Sequence, residues 1–388
     1  MSSLILIIPF VLSLFLLIFF NKKVIWWEYL VIIIPGIVIN LIISEGMKYY
    51  NCKDIEYLGD YVKEVRYYES WNEWVVKRCT RTYTDSKGNI REQSYDCSYC
   101  KSHPERWEMV TLLKHKYLIS KQEYEYLVKL WNAPSQFVDL HRSYYTKDGD
   151  MYFSKWDNRY ETIIPITIEN EYRNKVKGSK SVFKFESITE SDAKELGLFE
   201  YPALTKQKIP FLENVYINTY QNAVIGYDDD NEFISKMDYI NAKYGPLRFI
   251  RTYLLIFKDK PHDIAFKQQS YWEGGNFNEH IICLGLNTST NKFEWCETFS
   301  WEDKPDLAVK TKQWFIDNND IDSLKEFPTW YEDMLNNNST WVCKNRDDFE
   351  YLKTELSNGQ FFWLLIISII ICVGMSIWVV VNNITYNK

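Results

Sequence analysis

Histidine, glycine and proline are all scarce in this chain, and no familiar catalytic signature is present. The five His stand scattered at positions 103, 115, 141, 262 and 280. No HExxH, GxSxG, phosphate-binding loop or Ser/His/Asp set occurs, so the common routes to hydrolysis have no motif here. Only 14 Gly and 11 Pro fall among 388 residues, which leaves no low-complexity linker. Long charge blocks and internal repeats are missing too. So is a basic stripe. The formal net charge is −7. Lys22, Lys23, Lys388, Glu28 and Glu45 lie in the apolar ends and tails and contribute one net positive charge, so the central region carries −8. An acidic region of this kind excludes nucleic acid as an expected partner. It also argues against lying flat on anionic lipid.

What the chain does have is three apolar runs at its ends: residues 4–20, 24–43 and 361–381. A bilayer core of about 30 Å needs roughly 20 apolar residues in a helix. The third run carries no charge and has Trp363 and Trp378 near its two ends, where interfacial aromatics belong. The second holds Glu28 beside Trp26 and Trp27 at headgroup depth, and Pro35-Gly36 at mid-span. The first lacks a basic n-region and a small-x-small cleavage site, so it reads as an uncleaved helix and not as a signal peptide. Asn21-Lys22-Lys23 then becomes the turn of a helical hairpin over residues 1–45. Short basic loops stay cytoplasmic, which puts the large domain outside and the C-terminal tail, 382–388, inside. Lys48, Lys53, Lys63, Arg66, Lys344, Arg346 and Lys353 flank the domain and point the other way, but long domains cross largely regardless of charge.

The expected fold class is α+β: three transmembrane helices, two N-terminal and one C-terminal, around a soluble domain with two halves. Residues 46–200 read as β-rich, with aromatic-laden strands and a hairpin turning at residues 85–89. Ser120 and Glu123 spell a capping box for a helix over 120–133. A second hairpin turns at Asp148-Gly149, a strand is expected over 181–187, and a capped helix over 189–196 ends at Gly197. Residues 201–358 alternate α and β. Asp230 caps a helix ending at Gly245-Pro246, and 249–257 is a continuous apolar run suited to a central strand. Helices follow near 262–272, 305–317 and 321–335. A hairpin spans 280–286 and 292–299, then come a short strand at 340–344 and a helix at 347–356.

Eight Cys occur. If the first hairpin turns symmetrically about Gly88, Cys79 and Cys97 lie opposite each other. If the later one turns between Ser289 and Thr290, so do Cys283 and Cys296. Opposed residues come near disulfide range, so both pairs are expected to be bonded in an oxidising compartment. The competing reading is zinc held by Cys79, Cys97, Cys100 and His103, whose C-x2-C knuckle is a metal signal although the last spacing is short. The acidic run Asp228-Asp229-Asp230 suits calcium, but a helix start explains the same residues through capping and the dipole. The segment from Tyr271 to His280 is the most unusual. Its Gly274-Gly275 lets the backbone turn tightly, and Glu273, Asn276, Asn278, Glu279 and His280 then stand at a strand's start where polar groups converge. The plain alternative is a structural turn.

YWEGGNFNEH, with the strand pair ending FSW, and WNEWVVKRC…YDCSYC…HP resemble segments of uncharacterised membrane-anchored proteins of bacteria and phages. The element order is also similar to TPM-type domains, with no motif that places their metal ligands. The first resemblance implies no activity; the second implies phosphatase or assembly roles. The favoured expectation is therefore an exported, membrane-anchored domain with a protein partner at the cell envelope and no cofactor. The alternatives are a tethered hydrolase or phosphatase with its site at residues 228–232 and 273–280, and a zinc-stabilised cytosolic adaptor.

Overall fold

A computed structural model describes residues 11, 26–132, 135–140, 149–156, 163–179, 188–202, 215–217, 223–228 and 230–382. The expected first span over 4–20, Lys22-Lys23 and the strand over 181–187 lie outside them, Val11 excepted. Helix α1 (Trp26–Asn51) leads directly into strand β1 (Lys53–Tyr68). Strands β2 (Trp71–Val75), β3 (Arg78–Thr84), β4 (Ile90–Asp96) and β5 (Tyr99–His103) follow, then β6 (Arg106–Thr111) and β7 (Lys116–Ile119). Next come α2 (Lys121–Trp131), β8 (Gln136–Val138), β9 (Met151–Lys155), β10 (Pro165–Arg173), the single turn α3 (Lys175–Gly178), α4 (Glu190–Leu196) and β11 (Val215–Ile217). The last part holds β12 (Val224–Ile225), α5 (Asn231–Arg248), β13 (Arg251–Lys258), α6 (Asp263–Tyr271), β14 (Glu279–Asn287), β15 (Lys292–Ser300), α7 (Asp306–Asp317), α8 (Phe327–Asn336) and α9 (Asn358–Asn382). The domain is mixed α and β, with separate sheets.

Two helices are long and apolar enough to cross a membrane, over Leu30–Asn51 and Asn358–Val379. They pair antiparallel. Asn40 Nδ2 donates to Ser368 Oγ at 2.8 Å inside the pair, and Asn51 and Gln360 exchange amide hydrogen bonds at 2.6 and 2.8 Å at its domain end. Ile34, Val38, Ile42, Ile370 and Ile377 point outward and are exposed. An interface of small polar side chains with an apolar exterior is the pattern of helices packed in lipid.

The first lobe is built on β1. Its first half pairs with β10, and its second half pairs with β6 on one side and β9 on the other. The register shifts at Lys63, between Val62 and Glu64. Val62, Val65, Met109, Ile164 and Ile166 form a core that α2 covers with Leu127 and Trp131. Helix α2 starts on the expected capping box, with Ser120 and Glu123 each bonding the other's backbone N–H. The second lobe is a sheet β12-β13-β14-β15 with helices on both faces. β12, β13 and β14 are parallel and β15 is antiparallel. Along β13, Leu254 and Ile256 face α5, α7 and α8, while Tyr253, Leu255 and Phe257 face α4 and α6. Burial on both faces explains the unbroken apolar run. Residues 188–202, on the β-rich side of the composition change, pack Ala193 and Leu198 into this second lobe, whereas β11 returns to pair with β10.

Helix α5 does not stop at Gly245-Pro246; it continues to Arg248, where Phe249 takes a left-handed cap at φ 52°. Gly245 is a contact and not a terminator. A Cβ there would lie 2.7 Å from the Gly59 Cα, and one at Gly59 would lie 2.5 Å from the Asn241 carbonyl oxygen. Helix α5 therefore lies backbone to backbone on β1 while its Met237, Ile240 and Tyr244 fill the second lobe's core. The expected helix over 321–335 divides into a 3-10 turn (Ile321–Lys325) and α8, and that over 347–356 shrinks to a 3-10 turn (Arg346–Phe349). At 340–344 only a single bridge from Cys343 to Glu302 forms.

Gly59→Ala is expected to lower stability by about 1–3 kcal/mol through overpacking at this crossing. It is a cleaner probe than Gly245→Ala, whose gain of about 1 kcal/mol in helix propensity opposes the clash. A denaturant midpoint unchanged in Gly59→Ala would show that the crossing tolerates a methyl group.

Candidate functional site

The tight turn after α6 builds the most elaborate site. Glu273, Gly274 and Gly275 all adopt positive φ, at 50°, 83° and 74°. At φ 74° a side chain on Gly275 would be strained, and its Cβ would also press on Ile281 Cδ1 at 2.6 Å and Glu279 Oε2 at 2.9 Å, so the turn favours glycine. The reversal brings the Asn276 backbone N–H onto Glu279 Oε2 at 2.8 Å. Asn276 Nδ2 donates to Glu279 Oε1 at 3.1 Å and to the Tyr201 hydroxyl at 2.9 Å, and Tyr201 donates to Glu279. On the other side, the Tyr172 hydroxyl donates to Asn276 Oδ1 at 2.9 Å and accepts from Asn174 Nδ2 at 3.0 Å. Asn174 also reaches Asp54 Oδ2 at 2.9 Å, and Lys177 Nζ reaches Asp54 Oδ1 at 2.8 Å. One connected network thus runs from the surface at Lys177 to the fully buried Glu279, joining both lobes.

The network forms the floor of an open cleft of about 840 Å³ beside the end of α1. Tyr50, Tyr57, Tyr201, Tyr271 and Trp272 supply aromatic walls, and Asp54, Glu190, Glu200 and Glu273 outnumber Lys53 and Lys177 on its lining. Burial, with the charges of Asp54 and Glu56 nearby, raises the Glu279 carboxyl to about 8, so it keeps its proton at neutral pH. Burial, with Glu169 and other neighbours, pushes Tyr57 up to about 12. A hydrogen bond to the Glu200 carboxylate does the same for Tyr271, also to about 12. Glu56, fully buried close by, is met by the Arg346 guanidinium and by Asn170 Nδ2 at 2.6 Å. The cleft offers acceptors and ring faces, the equipment for a polar ligand that donates hydrogen bonds or carries positive charge.

The five residues expected to converge here do not all do so. Glu273 and Asn276 line the cleft, and Glu279 lies under it. Asn278 instead donates to the Tyr57 carbonyl at 2.9 Å, pinning the lobes together. His280 faces the other side of the sheet, because successive strand residues alternate. There its Nδ1 meets the Tyr331 hydroxyl at 2.7 Å, its ring stacks on Tyr331, and burial lowers its pKa to about 3. Asp230 caps α5 by accepting from the Glu232 and Phe233 N–H groups, both at 3.1 Å. Asp228 follows β12, whose Ile225 stands opposite Leu255, whereas Glu279 stands opposite Arg251. The two acidic segments therefore occupy opposite ends of the strands, roughly 20 Å apart at about 3.3 Å per residue. Asp229 lies outside the described residues. Sequence reasoning did not assign Tyr172, Tyr201, Asn174, Asp54 or Arg346 to this site, because no local pattern links them to it.

The cysteines divide. Cys79 and Cys97 are bonded, with Cα atoms 5.8 Å apart. The bond runs diagonally, since Cys79 pairs with Tyr95 and the turn centres on Lys87. Cys283 and Cys296 are free. The hairpin does close symmetrically, Asn287 opposite Lys292, but a bulge at Glu294 shifts the register and sets Cys283 opposite Glu297. Cys283 then faces α6, and Cys296 packs against the opposite core. The Cys79, Cys97, Cys100 and His103 set is not assembled: two of its sulfurs are in the disulfide, and His103 meets Glu73 at 2.8 Å. Among the described residues no three His, Cys, Asp or Glu side chains group as metal ligands.

The disulfide sits midway along an arm. Among the described residues β2 pairs only with β5, and β3 only with β4, in one continuous register over residues 71–103. Trp74, Val76, Tyr83, Ile90, Tyr95 and Tyr99 are exposed on it. The arm bears +2 on a domain of −8. It leaves the far end of β1, about 50 Å of strand from α1 at about 3.3 Å per residue.

No protein-family model matches the chain, no curated protein matches it in sequence, and no solved structure matches its fold.

Glu279 gives a pH signature. The native state keeps its proton up to about 8, whereas an unfolded Glu loses it near 4.3. Between those values the native state binds more protons, so stability falls as pH rises, by up to about 1.4 kcal/mol per unit. Glu279→Gln is expected to flatten that slope in denaturant titrations across this window; an unchanged slope would show that Glu279 ionises in the folded protein. Separately, Cys79→Ser is expected to loosen the arm by about 3 kcal/mol, the loop-entropy value for a span of this length. Limited proteolysis should then cut within residues 71–103 and leave the lobes intact.

Proposed function

We propose that the chain is a membrane-anchored, exported interaction protein whose disulfide-pinned arm meets a protein partner. The arm carries this reading. A lone two-stranded ribbon is marginal in water, and this one adds nothing to either lobe's core. It nonetheless exposes Trp74 and Ile90, at 65% and 79%, and is stapled covalently. Exposed aromatic and aliphatic side chains held on a rigid element are what a contact surface uses. The bond itself suits an oxidising compartment, which favours export. The paired apolar helices fit an anchor in a bilayer.

A second reading is supported by the acidic aromatic cleft: the tethered domain takes a small polar ligand over Asn276 and Tyr201. The hydrolase or phosphatase version of that reading keeps Glu273 and Asn276 at the cleft but loses Asp228 and Asp230 to the opposite sheet end.

Cys100 provides the test. It is a free, exposed thiol opposite Trp74 on the arm. A membrane-impermeant maleimide is expected to label it in intact cells; labelling only after lysis would place the domain inside and overturn export. A maleimide carrying a photoreactive group at Cys100 is expected to give a discrete cross-linked protein species in cells, abolished by Trp74→Ser. A cross-linking pattern indifferent to Trp74→Ser would remove the arm as the contact.

A further inference from the structure

A smaller cleft, about 600 Å³, opens between the domain-side ends of the two apolar helices. Its charge runs against that of the domain. Lys48, Arg173, Lys175 and Lys353 line it, against Glu45 and Glu355, on a domain whose net charge is −8. These cations come from three separate places in the chain: α1, the junction of β10 with α3, which gives both Arg173 and Lys175, and the segment before α9. Two are already engaged. Lys48 pairs with Glu45 at 2.6 Å, and Lys175 is held by Glu350 through its carboxylate and its carbonyl oxygen at 2.9 Å. Arg173 and Lys353 are exposed, and neither makes a side-chain hydrogen bond or ion pair among the described residues. Leu356 and Phe361 add apolar lining where α9 begins.

We propose that this cleft binds the phosphate group of an anionic phospholipid from the leaflet facing the domain. This rests on the reading that α1 and α9 span a bilayer. The two candidate spans run Leu30–Asn51 and Asn358–Val379, and α1 turns polar at Ser44-Glu45, so the cleft mouth stands at headgroup depth. Lys353 and Arg173 supply the two charges that a phosphate needs, Arg173 being near enough to Glu350 to lower its carboxyl but not hydrogen-bonded to it among the described residues, and a guanidinium donates to two of its oxygens at once. Leu356 and Phe361 lie where the glycerol and first acyl carbons would run. The acidic remainder of the domain repels the same headgroups, so attraction is confined to this point. Free phosphate shares the chemistry but leaves the apolar lining unused.

The test uses the full-length protein in a zwitterionic detergent and native mass spectrometry with three probes: short-chain phosphatidylglycerol, phosphatidylcholine of the same chain length, and inorganic phosphate. The expected result is one phosphatidylglycerol per chain, bound at least about tenfold more tightly than phosphatidylcholine and weakened about tenfold or more by R173Q/K353Q. Both substitutions are at exposed positions, and an unchanged melting curve confirms that the variant folds. Equal binding of the two lipids, or phosphatidylglycerol binding unaffected by R173Q/K353Q, overturns the site. Variant-sensitive binding of inorganic phosphate without preference for phosphatidylglycerol overturns the lipid as its source. Carbonate extraction of membranes is run alongside. Release of the chain there rejects the anchor itself, whereas a retained chain without lipid preference rejects only the cleft.

Discussion

The two lobes stand where they do because β1 and α5 approach backbone to backbone at Gly59 and Gly245. Gly59 and Gly245 each occupy the space a side chain would need on the other. That closeness lets α5 serve two cores. Its Met237, Ile240 and Tyr244 belong to the α/β lobe, and its Ala242 joins the core under β1. Asn241 then clamps the following strand, accepting from the Thr252 N–H at 2.7 Å and donating to the Thr252 carbonyl at 2.9 Å. A helix so fully committed cannot shift without opening both cores. The cleft beside α1 is a consequence, since its walls come from β1 on one side and from the α6–β14 turn on the other.

Buried charge is handled in two ways within one neighbourhood, where Glu56 acts on Glu279. Glu56 is answered by Arg346, a cation brought from nearly three hundred residues away. Glu279 has no such partner and keeps its proton instead, because an unpaired carboxylate in a dry interior costs more than a raised pKa. Asn276 is the hinge of this arrangement. Its amide and backbone satisfy Tyr172, Tyr201 and Glu279 together. A fully connected polar network of this sort rigidifies the junction between lobes, and the cleft floor with it.

Local chemistry was legible where it was self-contained. The capping boxes at Ser120 and Thr189, the left-handed Gly197 and the Asp230 cap all appear as their residue types dictate. So do the two hairpins around Gly88 and Ser289. The misreadings come from contacts distant in sequence or from a register shift that residue types do not signal. Gly245-Pro246 looks like a helix end until β1 is laid against it. Cys283 and Cys296 look opposed until the bulge at Glu294 moves the register by one, and a shift of one residue sends a side chain to the other face. Glu279 and His280 look like partners until the sheet receives layers on both sides. At the cleft, Glu273 and Asn276 were visible from the double glycine, whereas Tyr201 on its wall and Tyr172 beneath it were not.

By composition alone the chain declared its apolar ends, its acidic middle and the order of most strands and helices, because propensity, periodicity and capping act over a few residues. Which face each strand residue takes, that Cys283 and Cys296 do not meet, and which carboxyl stays protonated were decided only on folding. Those outcomes depend on register, burial and charge from segments far apart in the chain. The same is true of Lys48, Lys353 and the Arg173/Lys175 pair gathered at the helix mouth, three segments that no local pattern connects.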